Sequence, residues 1–216
     1  MSAVQAPVSR TSPRGRIDKR QAILDAAFTV FASRGYEQTS VKDIADEARV
    51  AKTTVYSHLE DKEQLFRLTL AAAAESVLAA SVDAVDRLRA PGDDLRAVCE
   101  DAARELLQVC CGERSRALRW LTYGQVARFP DLIDTVQGRT SVRLAEALAD
   151  RFARLSLTGR IRRCDPAEAA EQFLALLTAP METRSRMGTR DISAEEIDAV
   201  ARSAVDTFLR AYAAGS

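Results

Sequence analysis

Residues 40–59 constrain the fold more than any other stretch, because they read as two short helices around a tight turn. Ser40 and Asp43 have the spacing of a capping box, in which a hydroxyl and a carboxylate satisfy free amides of a first helical turn. Val41, Ile44, Ala45 and Ala48 then share one face. Helix nucleation is costly, so a helix of about two turns cannot persist alone and must lie against neighbours. After the turn, Val55 and Leu59 point inward at i and i+4, leaving Lys52, Thr53, Thr54, Tyr56, Ser57 and His58 outside. A compact face of cationic and hydrogen-bonding groups suits a helix entering a major groove.

The flanks complete a three-helix unit. Ile23, Leu24, Ala27, Phe28 and Phe31 recur at helical spacing before Gly35, a natural left-handed C′ residue, and Tyr36 can fold back as its apolar contact. Downstream, Asp61 with Gln64 at N3 opens a longer helix carrying Leu65, Phe66, Thr69 and Ala72. Lys62 stands in the first turn of that helix, where free amides and a positive helix end also favour a phosphate.

Together these motifs resemble the TetR family, the tetracycline-repressor-like regulators. The similarity runs from Arg20-Gln-Ala-Ile-Leu-Asp-Ala-Ala through Phe31-Ala-Ser-Arg-Gly-Tyr, Thr39-Ser-Val-Lys-Asp-Ile-Ala and Lys52-Thr-Thr-Val-Tyr to Asp61-Lys-Glu-Gln-Leu-Phe66. It spans four consecutive helices with their caps. Residue by residue, the resemblance implies base-edge contacts from Thr53 and Thr54 and phosphate contacts from Thr39, Tyr56, His58 and Lys62. Lys52 and Ser57 can serve either purpose. Hydroxyl, phenol and ammonium donors position a protein on phosphates, and threonine offers base edges both a hydroxyl and a methyl.

The chain departs from the family pattern at the turn. Arg49 stands where the family usually has glycine, and Ala51 where a serine often opens the recognition helix. An arginine at positive φ costs roughly 1–2 kcal/mol, and a missing N-cap oxygen about 1 kcal/mol. The turn is therefore expected to draw on tertiary contacts. Leu59, in place of a frequent aromatic, leaves the exposed set intact.

Charge is balanced over the 216 residues, with 31 basic and 31 acidic side chains, so no global field draws the chain to nucleic acid. The balance is uneven, however: Arg10, Arg14, Arg16, Lys19 and Arg20 stand against Asp18 in the first twenty residues, a net +4 that the remainder offsets with −4. A basic end on an acidic body is expected if one end meets phosphate. Residues 1–16, rich in serine, proline and arginine, are expected to be a disordered basic arm that is either a solvated tail or a phosphate or minor-groove contact. Residues 17–62 are then the helix-turn-helix DNA-binding domain and 63–216 a helical ligand-binding and dimerisation domain.

No targeting segment is apparent, and Glu75 interrupts the alanine-rich stretch from Leu68 to Val82, which points to a buried helix and no membrane partner. Cys99, Cys110, Cys111 and Cys164 lack metal-ligand spacing, so no metal or other cofactor is expected, and they read as reduced thiols in a cytoplasm. Cys110 and Cys111 could form a redox sensor only if a thiol pKa were low; helix-end packing is the simpler role.

The fold class is all-α. About nine helices are expected, near 18–34, 41–48, 52–58, 61–89, 94–110, 114–128, 131–157, 166–187 and 194–213, an order that resembles the TetR layout. Trp120–Pro130 and Asp165–Phe173 also resemble one regulator subgroup. Asp165-Pro166 with Glu168, and Ser193 with Glu196, are start signals for the last two helices. Pro180 falls inside the first of these and predicts a kink near Met181.

The broad apolar stripe of the final helix leaves room for a second surface as well as core. The resemblance implies a four-helix homodimer interface from the last two helices, with Leu177, Met181, Ala201, Ala204, Val205 and Phe208 as candidates. Cys110, Trp120, Tyr123, Phe129, Phe152, Phe173 and Met181 are candidates to line an effector pocket, although most would be ordinary core in any helical protein. The implied function is a repressor that binds a palindromic double-stranded DNA operator as a dimer and is released by a small apolar or amphipathic effector, with the helix from Asp61 as the mechanical link. The alternatives are a transcriptional activator, a protein-interaction module or, with no supporting residue constellation, an all-α enzyme.

Overall fold

The computed structural model describes residues 13–56, 61–89, 92 and 94–214. In chain order the helices are α1 (Pro13–Gln38), α2 (Val41–Glu47), α3 (Lys52–Tyr56), α4 (Lys62–Val85), α5 (Leu95–Cys111), α6 (Glu113–Gly124), α7 (Asp131–Gln137), α8 (Arg143–Leu157), α9 (Pro166–Arg184) and α10 (Ala194–Tyr212). Among the described residues there is no strand; Ile161 and Ala213 make one isolated antiparallel bridge. The chain divides into two compact units, residues 1–69 and 70–216, with the division inside α4.

In the first unit, α1 starts at Pro13, so residues 13–16 are helical where a disordered arm is expected; residues 1–12 of that arm lie outside the described residues. The helix breaks at Gly35, whose φ of 77° is open to glycine at little cost. That break turns Tyr36 back into the core, where its ring meets Phe66 at 4.8 Å, and Phe66 in turn meets Phe31 edge-on at 4.9 Å. Ile23, Ala27, Phe31, Ile44, Val55 and Phe66 are all buried, so α2 and α3, too short to persist alone, are held by apolar contact.

The second unit has its core among α5, α8, α9 and α10. Phe208 is the hub: its ring lies 4.9 Å from Phe152, 5.0 Å from Phe173 and 4.7 Å from Tyr212. Both expected start signals form. Asp165 accepts the Ala167 amide at 2.8 Å ahead of α9, and Ser193 exchanges capping-box bonds with Glu196 at 3.2 and 3.3 Å ahead of α10. α9 runs through Pro180 as one helix.

Two boundaries differ informatively from the sequence reading. α6 stops at Gly124, and the turns at 125–128 carry Phe129 into the core. The helical path expected over 131–157 is interrupted by a π-turn, Gly138–Val142, between α7 and α8. Arg139 of that turn and Arg143 after it both bond Glu75 of α4, at 2.9 and 2.8 Å. Helix α4 with its following 3-10 turn is long and apolar enough to cross a membrane, but Leu70, Ala73, Ala74, Leu78 and Val85 are spent in the protein's own core.

Candidate nucleic-acid interface

The interface is built from caps and turns. Ser40 opens α2: its hydroxyl accepts the Asp43 amide at 3.2 Å, while its own amide and hydroxyl donate to the Asp43 carboxylate at 2.9 and 2.6 Å. Those bonds from Ser40, with Arg34 at 2.9 Å, hold the Asp43 pKa down at about 2. At the other end of α2, Arg49 adopts φ 53°, as its place in the turn requires. The Arg49 amide bonds the Asp46 carbonyl at 3.2 Å and the Val50 amide bonds the Ala45 carbonyl at 3.0 Å. This is a Schellman motif with arginine in the left-handed seat, so backbone bonds offset the strain. Ala51 contributes its carbonyl, 2.8 Å from the Thr54 amide.

Helix α3 buries Val55, which is 1% exposed, and leaves Tyr56 48% exposed. Lys52 and Thr53 are also exposed and Thr54 is half-buried. The Lys52 ammonium lies 5.7 Å from the Tyr56 ring centroid, a cation–π contact that groups the two outermost donors. Lys62, in the first turn of α4, donates to the Glu37 carbonyl at 3.2 Å and sits 4.5 Å over the Tyr36 ring. An ammonium has three donors, so that bond leaves it able to meet a phosphate. Ser57 and His58 lie outside the described residues.

Thr39 is a correction. It is 3% exposed, and its hydroxyl donates to the Gly35 carbonyl at 2.7 Å. The break at Gly35 frees that carbonyl from the helix, and Thr39 satisfies it, so this hydroxyl is structural and not a phosphate donor. Arg49 also exposes a cation, on the turn before α3.

In the second unit, the aromatic residues expected to line a pocket are mostly elsewhere. Phe152, Phe173 and Met181 belong to the core cluster, Phe129 is buried, and Trp120 is 59% exposed. Cys110 packs at the edge of that core, where burial pushes its thiol up to about 11; Cys111 is raised for the same reason. Neither thiol has the low pKa a sensor would need. Tyr123, half exposed, does line a cavity of about 130 Å³. Its apolar wall is Val77 of α4, Leu118 of α6 and Ile133 and Val136 of α7; Ser115, Arg119, Thr122 and Thr140 supply polar groups. Ser115 and Thr122 share the α6 face that carries Leu118, and the space forms where that face meets α4 and α7. A second, open groove of about 540 Å³ has Arg87 and Glu105 on its rim, already paired at 2.6 Å.

The residues expected at the dimer interface are also buried within one chain. Leu177, Met181, Ala201, Ala204, Val205 and Phe208 are each 4% exposed or less. The stripe of α10 is consumed by α5 and α9, so its width reflects intramolecular neighbours. The exposed positions include small residues, Ala175 and Ala179 on α9 and Ala199 and Ser203 on α10, among charged ones such as Glu171 and Arg202.

Comparison with known proteins gives two family matches. Residues 23–69 match the bacterial regulatory proteins of the tetR family, and residues 97–214 match the AefR-like transcriptional repressor C-terminal domain. The HTH-type transcriptional repressor Rv3405c of Mycobacterium tuberculosis is 30% identical over 211 residues, covering 94% of this chain and 97% of that protein. A solved structure from Mesorhizobium loti, described as a TetR-family transcriptional regulator, superposes with a TM-score of 0.85 at 30% identity, covering 92% of this chain and 98% of that one. The flavonoid-responsive regulator FrrA gives a TM-score of 0.72 at 25% identity, over 92% and 99% of the two chains.

Proposed function

Because the chain belongs to the TetR family of bacterial transcriptional regulators and is a DNA-binding repressor by that kinship, we infer that α3 reads its operator through Lys52, Thr53, Thr54 and Tyr56. The observation that carries this reading is the division of α3 into one buried anchor, Val55, and an outward polar face. Thr53 and Thr54 meet base edges; Tyr56 and Lys62 hold phosphates on either side. Lys52, with Ser57 and His58 by the family motif, completes the set.

TetR regulators bind operators as dimers. For this chain we propose an interface on the outward faces of α9 and α10, around Ala175, Ala179, Ala199 and Ser203, where small side chains let two helix pairs approach closely. Two-fold symmetry then sets the recognition helices about 34–36 Å apart, one turn of DNA. The repressor works in the cytoplasm, where a bacterial operator lies.

The effector site is the cavity lined by Val77, Leu118, Tyr123 and Val136. Helix α4 is the link to DNA, since it contributes Val77 to the cavity and Lys62 to the phosphate set. The Glu75 clamp to Arg139 and Arg143 ties α4 to the π-turn that supplies Thr140. A ligand that spreads this contact shifts α4, and releases DNA only by as much as it prefers the released state. Moving the balance from about 1:99 to 99:1 takes roughly a 10⁴-fold preference.

Selection of bound sequences from a random duplex pool tests the reading. A two-fold symmetric site with half-sites one helical turn apart is expected; no enrichment at low salt would refute it.

A further inference from the structure

The cavity beside α4 is specific about what it can hold. Its volume, about 130 Å³, is close to the roughly 150 Å³ of an apolar protein cavity that takes up benzene, which matches one ring and not several. Val77, Leu118, Ile133 and Val136 give that ring an apolar wall.

The polar groups add a direction. The hydroxyls of Ser115, Thr122 and Thr140 donate to the carbonyls of Val109, Leu118 and Val136, at 2.7, 2.7 and 2.8 Å. A hydroxyl whose proton is spent presents only lone pairs, so these groups accept from a ligand O–H. Arg119 is the charged member of the lining, and among the described residues no carboxylate pairs with it. Arg119 is exposed, and one of its nitrogens donates to the Cys110 carbonyl at 3.0 Å, which leaves its other N–H groups for an anion. Arg139 and Arg143, by contrast, share the Glu75 carboxylate.

From these groups we propose that the effector is a single-ring aromatic acid carrying a hydroxyl, of the hydroxybenzoate class, with its ring against Leu118 and Val136 and its carboxylate on Arg119. The proposal rests on the repressor reading and adds the chemical class of its ligand. The ring fills the apolar space, the phenol donates to the spent hydroxyls, and the carboxylate supplies the counter-charge to Arg119. A flavonoid, the class named for FrrA, has more than one ring and exceeds this volume.

Calorimetric titration of the full-length protein with para-hydroxybenzoate, phenol and a flavonoid tests this, alongside the Arg119→Gln and Ile133→Trp variants. Each is also assayed on the selected operator. Expected is one para-hydroxybenzoate per chain, bound at least about tenfold more tightly than phenol. Arg119→Gln should abolish that preference while keeping phenol binding, and Ile133→Trp should lose both ligands and retain the operator. Equal binding of the acid to Arg119→Gln, or a wild-type protein that holds its operator but takes only the flavonoid or no ligand, would overturn the proposal. Failure of operator selection itself would instead overturn the repressor reading.

Discussion

Apolar spacing assigns an outer face to both helix α3 and helix α10, yet only α3 keeps that face exposed over its described residues. In α3 one residue, Val55, is buried, and everything the spacing assigns outward from Lys52 to Tyr56 is at least partly exposed. In α10 the whole stripe from Ile197 to Tyr212 is buried within the chain. A helix with neighbours on one side reveals its free face by elimination. A helix wedged between α5 and α9 spends a wide stripe on both, so stripe width counts neighbours and does not reveal an interface.

The sharpest way to break this contrast is Phe208→Ala. If Phe208 is a core hub, the substitution should cost about 3–5 kcal/mol in denaturant unfolding. A stable, well-folded monomer would return Phe208 to the interface. Ala175→Arg should do the opposite, leaving the unfolding curve of the protomer within about 0.5 kcal/mol while sedimentation shows loss of the dimer. An unchanged dimer would move the interface elsewhere.

Smaller effects sharpen the account of the first unit. Arg49→Gly relieves a left-handed arginine and should raise stability by about 1 kcal/mol; a loss would show that the arginine side chain contributes more than its backbone costs. Asp43 gives a pH signature. Its pKa is lowered by folding, so its contribution is full above the ordinary 3.8 and is lost as pH falls through about 2. In Ser40→Ala the NMR titration of Asp43 should move up toward 3.8; an unmoved midpoint would reject Ser40 as the main cause.

Much of the first unit was legible because its signals are local. The capping box, the glycine break and the left-handed arginine each depend on a few adjacent residues, and all form. Thr39 was misjudged because its role depends on a carbonyl that the Gly35 break exposes, a consequence of backbone direction. In the second unit the two start signals and the all-helical order were legible for the same local reason. The cavity was not: α6 turns Leu118, Leu121 and Thr122 inward and its largest residue, Trp120, to solvent. Empty space beside small hydroxyls is a property of three helices together, and no single stretch encodes it. The π-turn was likewise hidden inside one long helical pattern.

The most direct measurement is the affinity of Tyr56→Ala and Thr54→Ala for the selected operator, taken with their melting temperatures. Both variants should melt like the parent, because Tyr56 is exposed and Thr54 only half-buried, and both should lose operator binding by about tenfold or more. Full affinity in variants that fold normally would contradict the assignment of α3 as the surface that reads DNA.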